Sequence, residues 1–305
     1  MRPIIIGTRG SSLAMCQTRI VQTALEERFP DRRFTVRTIK VQADKQPETP
    51  LAALGGEGIF VRELETALMD GTIDLAIHSL KDLTLDTPAS LRIAAVLERD
   101  DPRDALVSRA GGGVDRLPNG ARVGTSSLRR RSQLLRRRPD LQPEEIRGNV
   151  DTRLRKLDEG RYDAIVLAAC GLIRLGLEAR ITEYLEMSWM LPEPGQGALA
   201  IETRADDDDM CRMASAVEHP STRACVEAER SFLLALGGGC RVPIAAHATL
   251  NAGTLSLDGS VVAADGSAEL RDSMTGPMTE PVALGGRLAS RLASQGAGDL
   301  LAKKP

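Results

Sequence analysis

One phrase of this chain occurs twice, and that repetition constrains the fold more than any other feature. Ile4-Ile5-Ile6-Gly7-Thr8-Arg9-Gly10-Ser11-Ser12-Leu13 leads into an amphipathic run from Ala14 to Arg28, and Val123-Gly124-Thr125-Ser126-Ser127-Leu128 leads into a helical run to Arg138. A β-branched run, a glycine turn and a serine ahead of apolar helical spacing predict strand, loop and capped helix. A second phrase repeats in the same order: Asp70-Gly71-Thr72-Ile73-Asp74-Leu75-Ala76-Ile77-His78-Ser79 parallels Glu159-Gly160-Arg161-Tyr162-Asp163-Ala164-Ile165-Val166-Leu167-Ala168. Each reads as a helix ending at glycine, an aspartate, then a buried strand. Gly7 and Asp74 are 67 residues apart, Gly124 and Asp163 only 39, so the first half carries the insertion. Two phrases in one order predict duplicated α/β lobes of parallel sheet, with strand C-ends and helix N-termini around one cleft.

The insertion includes Val41–Gly58, rich in Pro, Gly and polar residues, which reads as a mobile loop. Gly58–Asp70 reads as a helix, and Pro192–Gly197 as a Pro/Gly-rich crossing segment and candidate hinge. Beyond Glu218 the texture changes. A helix over Ser221–Ala235 is followed by Gly237-Gly238-Gly239-Cys240, and turn signals come at Asn251-Ala252-Gly253, Asp258-Gly259 and Asp265-Gly266. A helical run over Ala283–Ala302 completes a small antiparallel α+β domain. The expected boundaries are 1–97 with 198–215 for the first lobe, 98–197 for the second and 216–305 for the C-terminal domain.

Composition removes several classes. The longest apolar run, Ala164–Cys170, is far short of the roughly 20 residues of a membrane helix. Five cysteines without a C-x-x-C pair and three histidines disfavour a disulfide framework and a zinc module, so no metal is expected and a cytoplasmic setting is. Aromatics are 2%, which disfavours nucleic-acid binding by base stacking. A net charge of −2 conceals a local excess: from Ala121 to Arg161 there are eleven Arg and one Lys against six acidic residues. An anionic ligand belongs there.

Arg129, Arg130, Arg147 and Arg153 each lie close to a turn that opens a helix, where free N–H groups and forked guanidinium donors suit carboxylate or phosphate. Any one of them alone reads as surface charge, and Arg136–Arg138 as a solvated face. His78-Ser79-Leu80-Lys81-Asp82 leaves the end of a buried strand. Asp82 can serve as acid/base or hold a cation, Lys81 can bind an anion, and both can be a surface pair. His78 reads as a structural histidine. Cys16, Cys170, Cys211 and Cys225 fall in helical or strand runs, as small hydrophobes. Cys240 instead ends three glycines beside Arg241, a place for a nucleophile or attachment point, or for a loop thiol of no consequence.

Together these pieces resemble the porphobilinogen deaminase (hydroxymethylbilane synthase) family. The matching motifs are Thr8-Arg9-x-Ser11-x-Leu13-Ala14, Gly58-x-Phe60-Val61-x-Glu63-Leu64-Glu65, His78-Ser79-x-Lys81-Asp82 and Arg99-x-Asp101-Pro102-Arg103-Asp104-Ala105. They continue with Gly124-Thr125-Ser126-Ser127-Leu128-Arg129-Arg130, Arg147-Gly148-Asn149-Val150-x-Thr152-Arg153-Leu154, Gly195-Gln196-Gly197-Ala198 and Gly238-Gly239-Cys240-x-Val242-Pro243. The resemblance implies two clamshell lobes like those of periplasmic binding proteins, plus a C-terminal α+β domain. It implies a dipyrromethane cofactor held on Cys240 through a thioether, onto which four porphobilinogens are added head to tail with loss of ammonia. It further implies that Asp82 is catalytic and that Lys81, Thr125, Ser127, Arg129, Arg130 and Gly148 bind the cofactor. Arg9, Ser11, Phe60, Arg147, Arg153 and Gln196 match substrate-side positions. A monomer is expected, with uroporphyrinogen III synthase as the downstream enzyme.

Departures from the family pattern fall mainly in the inserted loop. Val41-Gln42-Ala43-Asp44 stands where Thr-x-Gly-Asp is common, Ala53 and Glu57 where Lys is frequent, and Leu80 where Met is usual. A non-catalytic solute receptor has no need of Cys240 or Asp82, and Gly7-Thr8-Arg9-Gly10-Ser11-Ser12 lacks the dinucleotide-binding glycine spacing.

Overall fold

The computed structural model describes residues 2–41, 58–239 and 242–302. The expected loop, apart from Val41 and Gly58, and Cys240, expected as the attachment point, lie outside the described residues.

The chain divides into two compact units, one of residues 1–100 and 197–223 and the other of 101–196 and 224–305. In unit 1 a five-stranded sheet is built from β1 (Ile4–Arg9), β2 (Phe34–Ile39), β3 (Leu75–Ser79), β4 (Leu91–Val96) and β10 (Leu199–Arg204). Their order is β2-β1-β3-β10-β4, with β1 parallel to β2 and β3 and with β10 antiparallel to both its neighbours. In unit 2 a second sheet uses β5 (Asp104–Ser108), β6 (Arg122–Gly124), β7 (Gln142–Glu144), β8 (Ala164–Ala168) and β9 (Glu183–Tyr184). Its order is β7-β6-β8-β5-β9, parallel at β6 and antiparallel at β5. The sheets are therefore mixed rather than wholly parallel, and they share one plan. β1 corresponds to β6, β3 to β8, and the antiparallel β10 to β5.

The repeated phrases do identical work in both sheets. Asp74 accepts from the Ile5 N–H at 2.8 Å and Asp163 from the Arg122 N–H at 2.8 Å, each at the start of a central strand. The backbone N–H groups of the same aspartates donate back to the Ile5 and Arg122 carbonyls. Ser11 and Ser127 cap the helices Ser12–Arg28 and Leu128–Arg137, accepting from the N–H of Ala14 and Arg130 respectively. Both glycines lie against isoleucine side chains: a Cβ at Gly7 would collide with Ile73, and one at Gly124 would be tight against Ile165 and Ile146. The echo is thus a set of steric and hydrogen-bonding requirements imposed twice.

The third sheet, also in unit 2, is an antiparallel meander of β11 (Ile244–Asn251), β12 (Thr254–Val262) and β13 (Glu269–Pro277). It packs against the helices Pro220–Ala235 and Pro281–Ser294 around Phe232, Leu257, Leu284 and Leu288. The turn expected at Asp258-Gly259 is absent, because these residues pair in mid-strand with Ala246, His247, Asp272 and Ser273. Gly259 is required for another reason: a Cβ there would lie 2.5 Å from Phe232 Cζ. The helical run over Ala283–Ala302 is broken at Gly296, whose φ of 98° is left-handed. The helix expected over Gly58–Asp70 spans Arg62–Met69, because Gly58 (φ 74°) starts a turn whose carbonyl takes the Val61 and Arg62 N–H groups.

Gly259→Ala pushes a methyl group into the Phe232 ring. It is expected to destabilise the protein by about 1–3 kcal/mol, seen as a lower urea midpoint for the C-terminal sheet with its secondary structure retained.

Candidate active site

In unit 1, β3 runs directly into a single 3₁₀ turn, Leu80–Asp82. Leu80 is buried and its N–H donates to the Ala198 carbonyl at 3.0 Å, which fixes the turn. Asp82, half-buried, then lines a small open pocket together with Arg9, Ser11, Phe60, His78 and Ser79. Arg9 comes from the end of β1, and its guanidinium stacks 4.4 Å from the Phe60 ring centroid. Gln17 donates to Ser79 Oγ at 2.9 Å across the pocket floor. Four residues expected from the sequence, Arg9, Ser11, Phe60 and Asp82, therefore meet in one cavity. Lys81 shares the turn but does not line that pocket.

His78 has the structural partner expected for it, its Nε2 lying 3.0 Å from Glu202 Oε2 with both side chains buried. Among the described residues no group of three or more His, Cys, Asp or Glu is arranged to hold a metal ion.

In unit 2 the arginine-rich site begins where β6 gives way to the Leu128–Arg137 helix. Thr125 is buried, and its Oγ1 accepts from the Ser127 N–H at 3.3 Å. The first helical turn holds no acid and three arginines, Arg129, Arg130 and Arg131, a placement that opposes the helix dipole. A buried carboxylate offsets it. Asp104, at the start of β5, receives Arg129 Nη1 at 2.7 Å on one oxygen, and Arg130 Nη2 at 2.8 Å with Gln196 Nε2 at 2.9 Å on the other. Burial pushes the Asp104 carboxyl up. The charges of Arg129 and Arg130 and the Arg129 and Gln196 hydrogen bonds outweigh it and hold the group well below the usual carboxylate range.

Gln196 is wholly buried, its Nε2 shared between Asp104 and the Pro102 carbonyl, so it fixes this cluster. Arg129 also donates to the Leu191 carbonyl, while its Nε and Nη2 are buried without hydrogen-bond partners. Two guanidiniums thus face one carboxylate, and a positive charge is left over.

The next helix start carries the remaining candidates. Gly148 adopts a left-handed φ of 108°, its carbonyl receiving Arg153 Nε at 2.8 Å, so part of Arg153 shapes the turn. Arg147 is half-buried, and that burial pulls its guanidinium below the ordinary value, with Glu145 only partly opposing. Arg138 departs from the solvated face expected of Arg136–Arg138: it donates to the Val114 and Leu117 carbonyls and pairs with Asp140. Two buried acids were not singled out from the sequence. Asp104 sits inside a quoted motif, which was the available signal. Glu229, on the Pro220–Ala235 helix, gives one oxygen to the Gly195 N–H at 2.7 Å and the other to the Ala248 N–H at 2.8 Å, and nothing local marks it.

Comparison with known proteins decides what this arrangement belongs to. Residues 4–212 match the family described as "Porphobilinogen deaminase, dipyromethane cofactor binding domain", and 223–294 match "Porphobilinogen deaminase, C-terminal domain". The chain belongs to the porphobilinogen deaminase family. A porphobilinogen deaminase of Pelobacter propionicus is 48% identical over 97% of this chain and 95% of its own length. That of Methylobacillus flagellatus is 47% identical over 100% and 98%. Among solved structures, a periplasmic aliphatic sulphonate binding protein, SsuA of Escherichia coli, is 15% identical over 77% of this chain and 70% of its own, with a TM-score of 0.41. That last likeness is too loose to argue from.

The unit 2 residues fit a dipyrromethane, whose rings carry acetate and propionate groups. The unpartnered Arg129 nitrogens and the excess of guanidinium over carboxylate are what a polyanion requires.

Asp104→Asn removes the counter-charge of two buried arginines and is expected to cost about 3–5 kcal/mol, measured by chemical denaturation. The depressed carboxyl also sets a pH signature. Its contribution is fully present above the unfolded carboxyl range of about 3.9 and is lost only as pH falls through the lower folded value. Acid unfolding below about pH 4 should therefore be less steep in Asp104→Asn than in the parent.

Proposed function

We propose that this chain is a transferase of tetrapyrrole biosynthesis that joins four porphobilinogen molecules head to tail, with loss of ammonia, and releases hydroxymethylbilane. The observation that carries the reading is the surplus of buried arginine in unit 2, two guanidiniums sharing Asp104, in a chain that matches the family over nearly its full length. Each pyrrole brings an acetate and a propionate, so a growing chain multiplies carboxylates. Each charge-assisted contact to them contributes on the order of 1.5–3 kcal/mol.

When bound, the dipyrromethane supplies the pyrrole end to which new rings are joined. Cys240 is its attachment point, through a thioether. Arg129, Arg130 and Arg147 bind its carboxylates and those of the substrate. Thr125, Ser127 and Gly148 offer a hydroxyl-lined and backbone-lined turn, Arg153 and Gln196 hold that frame, and Lys81 adds a cation on the Asp82 turn. Arg9 and Ser11 orient the incoming ring against Phe60. As ammonia leaves the aminomethyl group, positive charge develops on the pyrrole, and the Asp82 carboxylate is the anion of the pocket placed to stabilise it.

We read the chain as two lobes, 1–97 with 198–215 and 98–197, and a cofactor-bearing domain of 216–305. Among the described residues no helix is long and apolar enough to cross a membrane. The protein would work as a cytoplasmic monomer and pass its product to uroporphyrinogen III synthase.

Intact-protein mass is the direct test. The protein made in cells that supply porphobilinogen should exceed the 32.8 kDa chain by a two-pyrrole adduct. Cys240→Ser should lose both adduct and activity, and an unmodified, fully active parent protein refutes the attachment. Asp82→Asn should keep the adduct but turn over on the order of 100-fold more slowly; wild-type rates would remove Asp82 from the mechanism.

A further inference from the structure

The Asp82 pocket has a second ionisable assembly on its wall, and the mechanism above leaves it unused. His78, on β3, lines the pocket with its side chain 2% exposed, and its Nε2 is held by Glu202 Oε2 from β10. Glu202 is fully buried, and its other oxygen, Oε1, has no hydrogen-bond partner among the described residues. Glu65, on the Arg62–Met69 helix, is also buried. Burial pushes its carboxyl up and Glu202 pushes it further, with His78 and Arg62 opposing.

A buried imidazole held by a buried carboxylate, in a residue that lines a reaction pocket, matches the pairing of a general base with its orienting group. We propose that His78, oriented by Glu202, is the proton carrier of the Asp82 pocket. The proposal deepens the preceding reading and rests on it.

The chemistry leaves room for such a group. The aminomethyl group enters as an ammonium; its C–N bond breaks and the electron pair departs with neutral ammonia. The attacked carbon forms the new C–C bond with a pair from the partner ring. That ring regains aromaticity when its α-carbon gives up a proton and keeps the C–H pair. One proton is freed at carbon and one is taken up by ammonia, so the balance closes without any outside acid or base.

Asp82 is poorly suited to carry that proton. A carboxylate that stabilises the developing cation forfeits its charge by accepting a proton, so two roles call for two groups. His78 accepts the proton at the ring nitrogen that Glu202 does not hold, and releases it to ammonia before the next addition. The ionisable groups around it are Glu202 on β10, Glu65 on the helix, and Arg9 and Asp82 in the pocket.

The test uses the full-length protein with its adduct intact. His78→Gln should lower kcat on the order of 100-fold while KM and the adduct mass stay unchanged. Glu202→Gln keeps a polar partner for the ring but removes the charge that favours imidazolium, so kcat should fall and its acid limb should move to lower pH. Wild-type kcat and an unaltered pH profile in either variant that folds would overturn the proposal.

A parent protein that makes no hydroxymethylbilane defeats the reading of the preceding subsection, whereas normal turnover with silent variants defeats only this one.

Discussion

A single buried carboxylate organises unit 2. Asp104 lies under the first turn of the Leu128–Arg137 helix and allows two arginines to sit at the positive end of that helix, where neither the dipole nor their mutual repulsion favours them. It also takes the Gln196 amide, and Gln196 follows Gly195, whose N–H is held by Glu229. The guanidiniums are thereby stiffened before any ligand arrives, which lowers the ordering cost of binding. Because one carboxylate cannot neutralise two cations, the assembly remains electropositive.

Unit 1 follows a different logic. Its pocket is polar on a rigid frame: the Asp82 turn is fixed by the buried Leu80 side chain and by a backbone hydrogen bond to Ala198. Leu for the more usual Met at that position keeps an apolar anchor of similar volume. The departure from the family pattern is structurally conservative there.

The legible parts of this fold are those where the chain repeats itself or uses side chains with one function. The Gly7/Gly124, Ser11/Ser127 and Asp74/Asp163 pairs were readable because each meets a local need, a close approach, a cap or a strand-start hydrogen bond. Long-range demands were not readable. Gly259 looks like a turn residue beside Asp258, and only the Phe232 ring from a distant helix shows that it belongs in a strand. The mixed character of the sheets depends on β10 returning to unit 1 from far along the chain, which periodicity within β10 cannot reveal. Glu229 and Glu202 escaped notice because a buried acid in a helix or strand looks like any solvated one until its partners are placed. The arginine block was visible as a local charge excess, but sequence could not separate Arg129 and Arg130, anchored on Asp104, from Arg138, which braces the Val114 and Leu117 carbonyls.

The strand order of unit 1 bears on how the protein emerges from the ribosome. β10 lies between β3 and β4, yet it is encoded after the whole of the second sheet. Everything β5 to β9 need for pairing is present once residue 184 has left the exit tunnel, whereas β3 and β4 must wait for residues 199–204 with their facing edges unfilled. The earlier-synthesised sheet is thus the later one to close. During that interval it exposes two apolar strand edges, a vulnerability that a nascent-chain chaperone is suited to cover.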